Sequence, residues 1–259
     1  MKRSIIPFLL MTIIVFGCSP KLENQQNTSE YWGDTLDLSE ENTVDLLDYY
    51  VPPLKETDPS STEEGAVKYG AVIELGDLDE LGRSTYAHIR LQRDQEPGHN
   101  GEERDDRISI DPAGWVNRKE GGEWVNNRCH LVGYQFSGLN DEPRNLATGT
   151  AYVNKGAVGE ETDESNADSM LYYEQKLDGW LEANPDYTLD YYVRPLYDGD
   201  ELVPDAFYLQ WVGISPEGET VSLDTGGRAL TLEDHAYGVY LENKEGNEQG
   251  HYLKIKSSD

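Results

Sequence analysis

Asn127-Arg128-Cys129-His130-Leu131-Val132-Gly133-Tyr134-Gln135 decides how the rest of this chain is read. It closes a strand-prone run, Trp124 to Val132. Successive side chains alternate across a strand, so Cys129 and His130 point to opposite faces. Downstream, Asn140 to Asn145 is polar, contains Pro143 and reads as a loop. A helix is expected to start within Thr150 to Asn154. A longer helix is predicted from Ser169 to Ala183, where Met170, Tyr173, Leu177, Trp180 and Leu181 share one face. Asn184-Pro185 ends it. Strands are predicted upstream over Val67 to Leu75 and Ser84 to Leu91, and downstream over Tyr187 to Val193 and Phe207 to Ile214. In the second of these, Thr85, Ala87, Ile89 and Leu91 face one way, and Tyr86, His88 and Arg90 the other. A tail hairpin is expected between Tyr237 to Leu241 and Tyr252 to Ile255. Strands before and after a helical middle indicate an α+β fold.

Outside that region the chain changes character. Lys2 and Arg3 precede an apolar stretch of 12 residues, Ile5 to Phe16, too short to span a bilayer and suited to an export signal. Val15-Phe16-Gly17-Cys18 resembles a bacterial lipobox, which implies cleavage before Cys18 and its diacylation. An ordinary secretory signal or a retained anchor is the alternative. Residues 1–17 are therefore read as a lipoprotein signal peptide and 18–64 as an acidic, disordered tether. The stretch from Lys21 to Glu64 holds 12 acidic residues against 2 Lys, and such a segment repels itself and extends. Within it, Val44 to Tyr50 could form a helical turn that docks elsewhere. The folded domain is expected over 65–259, with its motifs in 80–215.

The 259 residues carry a formal charge of −29, which argues against a nucleic-acid partner on bulk electrostatics. About a third of that charge sits in the tether, however, and 10 of the 21 basic residues fall between Arg83 and Lys155, so a local positive groove is compatible with the total. Two cysteines, Cys18 and Cys129, exclude a disulfide scaffold and a Cys-rich zinc module. The five His, at 88, 99, 130, 235 and 251, form no His-Glu-x-x-His or His-x-His array. There is no Gly-rich phosphate loop and no Gly-x-Ser-x-Gly elbow.

What remains is an ordered set of motifs. Asn127 to His130 is followed by Asn145 in a Pro-containing loop, then by Asn154 at the end of Thr150-Ala151-Tyr152-Val153-Asn154, then by Glu174 on the next helix. Leu81-Gly82-Arg83, Pro112-Ala113-Gly114-Trp115 and Tyr192-Val193-Arg194-Pro195-Leu196-Tyr197 flank them in order. Over roughly residues 70–215 the chain resembles the DNA/RNA non-specific endonucleases of the ββα-metal (His-Me finger) class, most closely the streptodornase and DNA-entry nuclease branch. The resemblance implies a central antiparallel sheet with flanking helices. It also implies hydrolysis of DNA, with RNA a second candidate, leaving 5′-phosphate ends. The cofactor implied is Mg²⁺, with Mn²⁺ a substitute.

The residue types suit that chemistry. Phosphodiester hydrolysis needs a base for water and charge neutralisation at phosphorus. His130 is the expected general base; a His merely tying two strands is the alternative. Asn154 is the expected metal ligand, compatible with a small hard cation that keeps most of its water. Glu174 lies about 40° from Met170 and about 60° from Leu177 around the helix, at the border of the apolar face. A carboxylate there is costly unless paired or bonded to metal-bound water. The place one turn later, often basic in related nucleases, is Asp178. Arg83 is the candidate for transition-state charge, since guanidinium matches phosphate and keeps its charge. Arg128 and Arg144 are candidates for binding substrate, Arg128 being open to the alternative of pairing with a carboxylate under the site. Asn145 is expected to orient the site loop or the imidazole. Cys129, on the face opposite His130, is not expected to act as a nucleophile. The expected partners are nucleic acid and, through the anchor, the outer face of a bacterial membrane. A surface protein that grips DNA without efficient cleavage is the main rival.

Overall fold

A computed structural model describes residues 46–55, 70–97 and 107–244. The expected signal segment, Cys18 and the arm Tyr252 to Ile255 lie outside the described residues. The elements run β1 (Val72–Leu75), β2 (Ala87–Gln92), β3 (Lys119–Glu120), β4 (Glu123–Trp124), β5 (Asn126–His130), α1 (Tyr134–Ser137), β6 (Leu146–Thr150), α2 (Ala151–Lys155), α3 (Met170–Ala183), β7 (Thr188–Leu196), β8 (Ala206–Ile214), β9 (Thr220–Val221), β10 (Leu230–Thr231) and β11 (Tyr237–Glu242). The central sheet is antiparallel, in the order β1-β2-β7-β8-β11-β10, with β9 beside β8. A second antiparallel pair, β5 and β6, leads directly into α2. This is the expected α+β architecture.

The core lies between one face of the sheet and the α1 and α3 helices. Ala87, Ile89 and Leu91 point into it from β2, as the alternation predicts, and Leu189, Tyr191, Val193, Leu209 and Trp211 continue the surface. Met170, Tyr173, Leu177 and Leu181 of α3 are buried against it. Tyr173 packs on Trp211 at 5.3 Å between ring centroids, and Phe136 meets Tyr191 edge-on at 5.9 Å. The α3 helix begins where Ser169 Oγ accepts from Tyr172 N, and stops at Asn184 before Pro185. Trp180, placed on the apolar face by periodicity, is half-buried at its edge.

Both faces of the sheet are covered. Residues 46–55 cross the outer face as a strap, and every residue of β8 is buried as a result. Val51 exchanges two hydrogen bonds with the Gln210 side chain, at 3.0 and 2.6 Å. Leu54 N donates to Asp190 at 2.8 Å, and Arg90 donates to Leu54 O at 2.8 Å. Thus the docking turn anticipated near Val44 to Tyr50 is present as a 3-10 turn, Leu46–Tyr49. Residues 46–55 belong with the fold, although the reading of 18–64 as disordered tether includes them. Gln210, Asp190 and Arg90 project from strands and satisfy main-chain groups that a tether would leave to water.

One further expectation is corrected. The single strand predicted over Trp124 to Val132 is broken at Val125. Val125 N donates to Arg118 O, whereas Val125 O accepts from Ala151 N, so the chain changes partners there. Trp124 therefore belongs to the β3–β4 hairpin. In the tail, β11 pairs with β8 and β10.

Candidate active site

His130 is the last residue of β5, paired with Leu146. The loop after β5 is stitched to the strand end by Asn145, which is fully buried. Its Nδ2 donates to Val132 O at 2.9 Å and its Oδ1 accepts from Val132 N at 3.0 Å. Asn145 thus orients the site loop and commits its amide to Val132. On the other side, Asn140 Nδ2 donates to Arg107 O, and Asp141 accepts from Ser109 N and Oγ. Those two bonds lead the causes that hold the exposed Asp141 carboxyl below its ordinary range, with the charge of His130 a smaller contribution. The Asn140 carbonyl lies 3.1 Å from His130 Nε2. A carbonyl can only accept, so that contact selects the Nε2–H tautomer and places the lone pair on Nδ1.

Asn154 comes from α2. Thr150 Oγ1 caps this helix by accepting from Val153 N at 3.1 Å. Gly156 ends it at φ +82°, where a Cβ would stand 2.2 Å from Asp163 O. Asn154 Nδ2 donates to Asn127 Oδ1 at 3.2 Å, which uses the donor end of the amide and leaves its oxygen as the acceptor a cation requires.

Glu174 is buried on α3, with 7% of its surface exposed. Gly133 N donates to its Oε1 at 2.8 Å, and Gln135 Nε2 donates to its Oε2 at 2.9 Å. The first turn of α1 therefore holds both oxygens. His130, Asn154, Glu174, Asn127, Arg128 and Gln135 all line one open groove of about 1430 Å³. Among the described residues, no three His, Cys, Asp or Glu converge as a metal cluster. One amide and one carboxylate fit a hard cation that keeps several waters, and do not fit a closed structural zinc site.

The arginines separate. Arg128 lines the groove, pairs with Asp111 at 2.6 Å and lies over the Trp115 ring at 4.2 Å. Arg128 is thus braced by a carboxylate and lines the groove. Arg83 is a correction. It is buried, ion-paired to Asp79 at 2.6 Å, bonded to the Gly199 and Glu201 carbonyls at 2.8 Å, and stacked on Tyr197 at 4.4 Å. It does not line the groove. Its donors tie two loops, a use that a Gly-Arg dipeptide at a turn does not betray. Arg144 pairs with Glu142 at 2.8 Å and likewise lies outside the groove lining. Asp178 pairs with Arg93 at 3.1 Å rather than with a groove residue. Cys129 is fully buried and packs on Gly149, where a Cβ would come within 2.3 Å of its sulfur. Burial pushes its thiol up, so it is an inert core residue.

Sequence reasoning missed the supports, Gln135 under Glu174 and Asn127 beside Asn154. Asn127 stood in the quoted motif, and its partnership follows from the antiparallel register that pairs it with Gly149.

A family model described as DNA/RNA non-specific endonuclease matches residues 65–211. The chain belongs to this family. Two solved structures described as an extracellular nuclease and an extracellular endonuclease are 40% and 41% identical to it. They cover 71% and 73% of this chain and 90% and 86% of their own, with TM-scores of 0.56 and 0.57. The structure of Sda1 nuclease with bound zinc ion is similar in fold, at 20% identity and a TM-score of 0.51, covering 72% of this chain and 80% of that one. No curated protein matches. As a DNA/RNA non-specific endonuclease the protein is a nucleic-acid hydrolase of a metal-dependent family, and the antiparallel pair leading into α2 is the ββα unit of its fold.

Proposed function

We propose that this is an extracellular, membrane-anchored endonuclease that cuts DNA, with RNA as a second substrate, irrespective of sequence. The observation that carries this reading is the contact of His130 Nε2 with the Asn140 carbonyl, in the groove that also holds Asn154 and Glu174. His130 Nδ1 takes the proton from the attacking water as its oxygen bonds to phosphorus and the P–O3′ bond breaks, leaving a 5′-phosphate and an O3′ that takes its proton from solvent. Asn145 and Asn140 keep the imidazole from turning away, and Arg128 neutralises phosphate charge at the groove wall. Asn154 would hold Mg²⁺, or Mn²⁺ in its place, with Glu174 accepting from its water. Bound there, the cation supplies positive charge for the transition state and the leaving oxygen. Recognition through phosphate and a general base needs no base-edge contact, which supports cutting without sequence preference.

Plasmid digestion with Mg²⁺, Mn²⁺ or Zn²⁺, and with EDTA, tests the activity and its metal. Cleavage with Mg²⁺ that EDTA stops is expected. Binding of DNA without cleavage under any metal would favour a surface DNA-capture protein instead. The names of the similar extracellular nucleases support action outside the cell. The lipobox-like Val15 to Cys18 supports a lipid anchor on Cys18, whose two acyl chains suffice for stable attachment. Mature protein recovered free in the medium, with an N-terminus other than Cys18, would overturn the anchor alone.

A further inference from the structure

Two indoles share the groove with the catalytic residues, and each carries a cation on its ring. Arg128 lies over Trp115 at 4.2 Å and Lys119 over Trp124 at 4.1 Å. Both rings line the groove and both are only partly buried. Neither hangs on a free loop. Trp115 closes a turn in which its N–H donates to Pro112 O, and Gly114, at φ +69°, packs against Leu202 and Val203. Thr148 of β6 fixes that turn by donating to Ala113 O at 2.8 Å. Asn126 of β5 reaches the residue after Trp115, donating to Val116 O at 2.9 Å. Trp124 is followed by Val125, whose carbonyl receives the N–H of Ala151, the first residue of α2, at 2.7 Å. The two rings are therefore braced by the same ββα unit that presents His130 and Asn154.

We propose that Trp115 and Trp124, with Arg128 and Lys119, form a stacking platform for unpaired bases, so that the enzyme prefers single-stranded nucleic acid. This rests on the nuclease reading and narrows its substrate. Every base has a π face, so stacking is blind to sequence, but in a duplex those faces are already covered by neighbouring bases. An indole with a cation on its ring offers both halves of a nucleotide a partner: the ring takes the base, and the guanidinium or ammonium takes the adjoining phosphate. A duplex can use only the charges. The platform thus adds affinity for single strands without adding base recognition.

The test uses the full chain carrying His130→Ala, so that bound strands are not cut. It is titrated with oligothymidylate and with a duplex of equal phosphate number, and binding is read by tryptophan fluorescence and anisotropy. The single strand is expected to bind more tightly. Trp115→Ala and Trp124→Ala are each expected to weaken single-strand binding by about 5- to 150-fold and duplex binding by less, so the preference ratio falls. Trp115→Tyr and Trp124→Tyr, which keep a ring and guard against misfolding, are expected to restore most of it. An unchanged ratio in the Ala variants, whether from equal loss or from none, overturns the platform. Failure of the nuclease reading is seen separately, as no metal-dependent cleavage of either strand type by the unsubstituted chain.

Discussion

Two buried polar clusters lie on opposite faces of the central sheet, and they do opposite things. On the outer face, His88 bonds Asp190 at 2.7 Å, Asp190 receives Leu54 N, and Gln210 pairs with Val51 in both directions. All of it is closed under residues 46–55. On the inner side, Glu174 receives Gly133 N and Gln135, and Asn154 is held by Asn127, yet the cluster opens into the groove. Each cluster satisfies the cost of burying polar groups by bonding to main chain or amide. The outer one ends there and is scaffold. The inner one turns His130 and Asn154 onto the open groove. Burial of polar residues does not by itself mark function; what they face does.

The contrast breaks most sharply at His130. His130→Ala is expected to lower cleavage at least 10²-fold, toward the upper end of about 10²–10⁴-fold for a general base. Its thermal unfolding and nucleic-acid binding should stay near those of the unsubstituted protein, because the loop it leaves is stitched by Asn145. Retention of more than about a tenth of the rate would remove His130 from the role.

The grip on Glu174 is the next place to press. A Cβ on Gly133 would stand 2.5 Å from Glu174 Oε2, so Gly133→Ala must push the carboxylate out of place. Gln135→Ala removes one of its donors without adding bulk. Glu174→Gln keeps the shape and removes the charge. All three are expected to raise the Mg²⁺ needed for half-maximal rate by about 10- to 100-fold, the usual scale for supports around a metal. Asn154→Ala is expected to abolish cleavage at any Mg²⁺. A metal titration of the rate checks the series, and an unshifted Mg²⁺ dependence in Gln135→Ala would make α1 irrelevant to the metal.

These supports also show how far the sequence could be read. The inward row Ala87, Ile89, Leu91 follows from alternation, and α3 from its period, because one face of each meets the core. The outward row does not follow. Alternation places His88 and Arg90 only on the face opposite Ala87, Ile89 and Leu91, and the burial of His88 and Gln210 beside a strap is not visible from within a strand. The motif order brings His130, Asn154 and Glu174 to one groove and Asn145 to the loop after β5. Arg83 suits phosphate by type, whereas its donors go to Asp79, four residues before it, and to the Gly199 and Glu201 carbonyls of a distant loop. Gln135 carries no signal of its own, because a lone glutamine two residues past Gly133 forms no pattern.

The outer cluster predicts a different kind of loss. Gln210→Ala leaves the Val51 N–H and carbonyl without partners under the strap, at a cost of about 1–3 kcal/mol. The melting temperature is expected to fall while the specific activity of the folded protein holds. A fall in kcat with no change in melting would join the two clusters and end the contrast drawn here.

The smallest effect is expected at Glu96, a buried carboxylate that belongs to neither cluster. It is 3% exposed, ion-paired to Arg93, and close to Asp178, which Arg93 also reaches at 3.1 Å. Burial, with the charge of Asp178 second, pushes its carboxyl up to about 7, and Arg93 only partly offsets this. An unfolded glutamate ionises near pH ~4.3. Between there and about 7 the folded state holds a proton that the unfolded state has released, so folding stability falls as pH rises through this window and levels off above it. Glu96→Gln removes that titration while keeping the side chain's shape. The variant is expected to gain on the unsubstituted protein by up to about 2 kcal/mol as pH rises from ~5 to ~8. Denaturant melts of the two proteins at both pH values measure the difference. A gap that stays constant across that range would mean that Glu96 is ionised throughout in the folded protein, held so by Arg93.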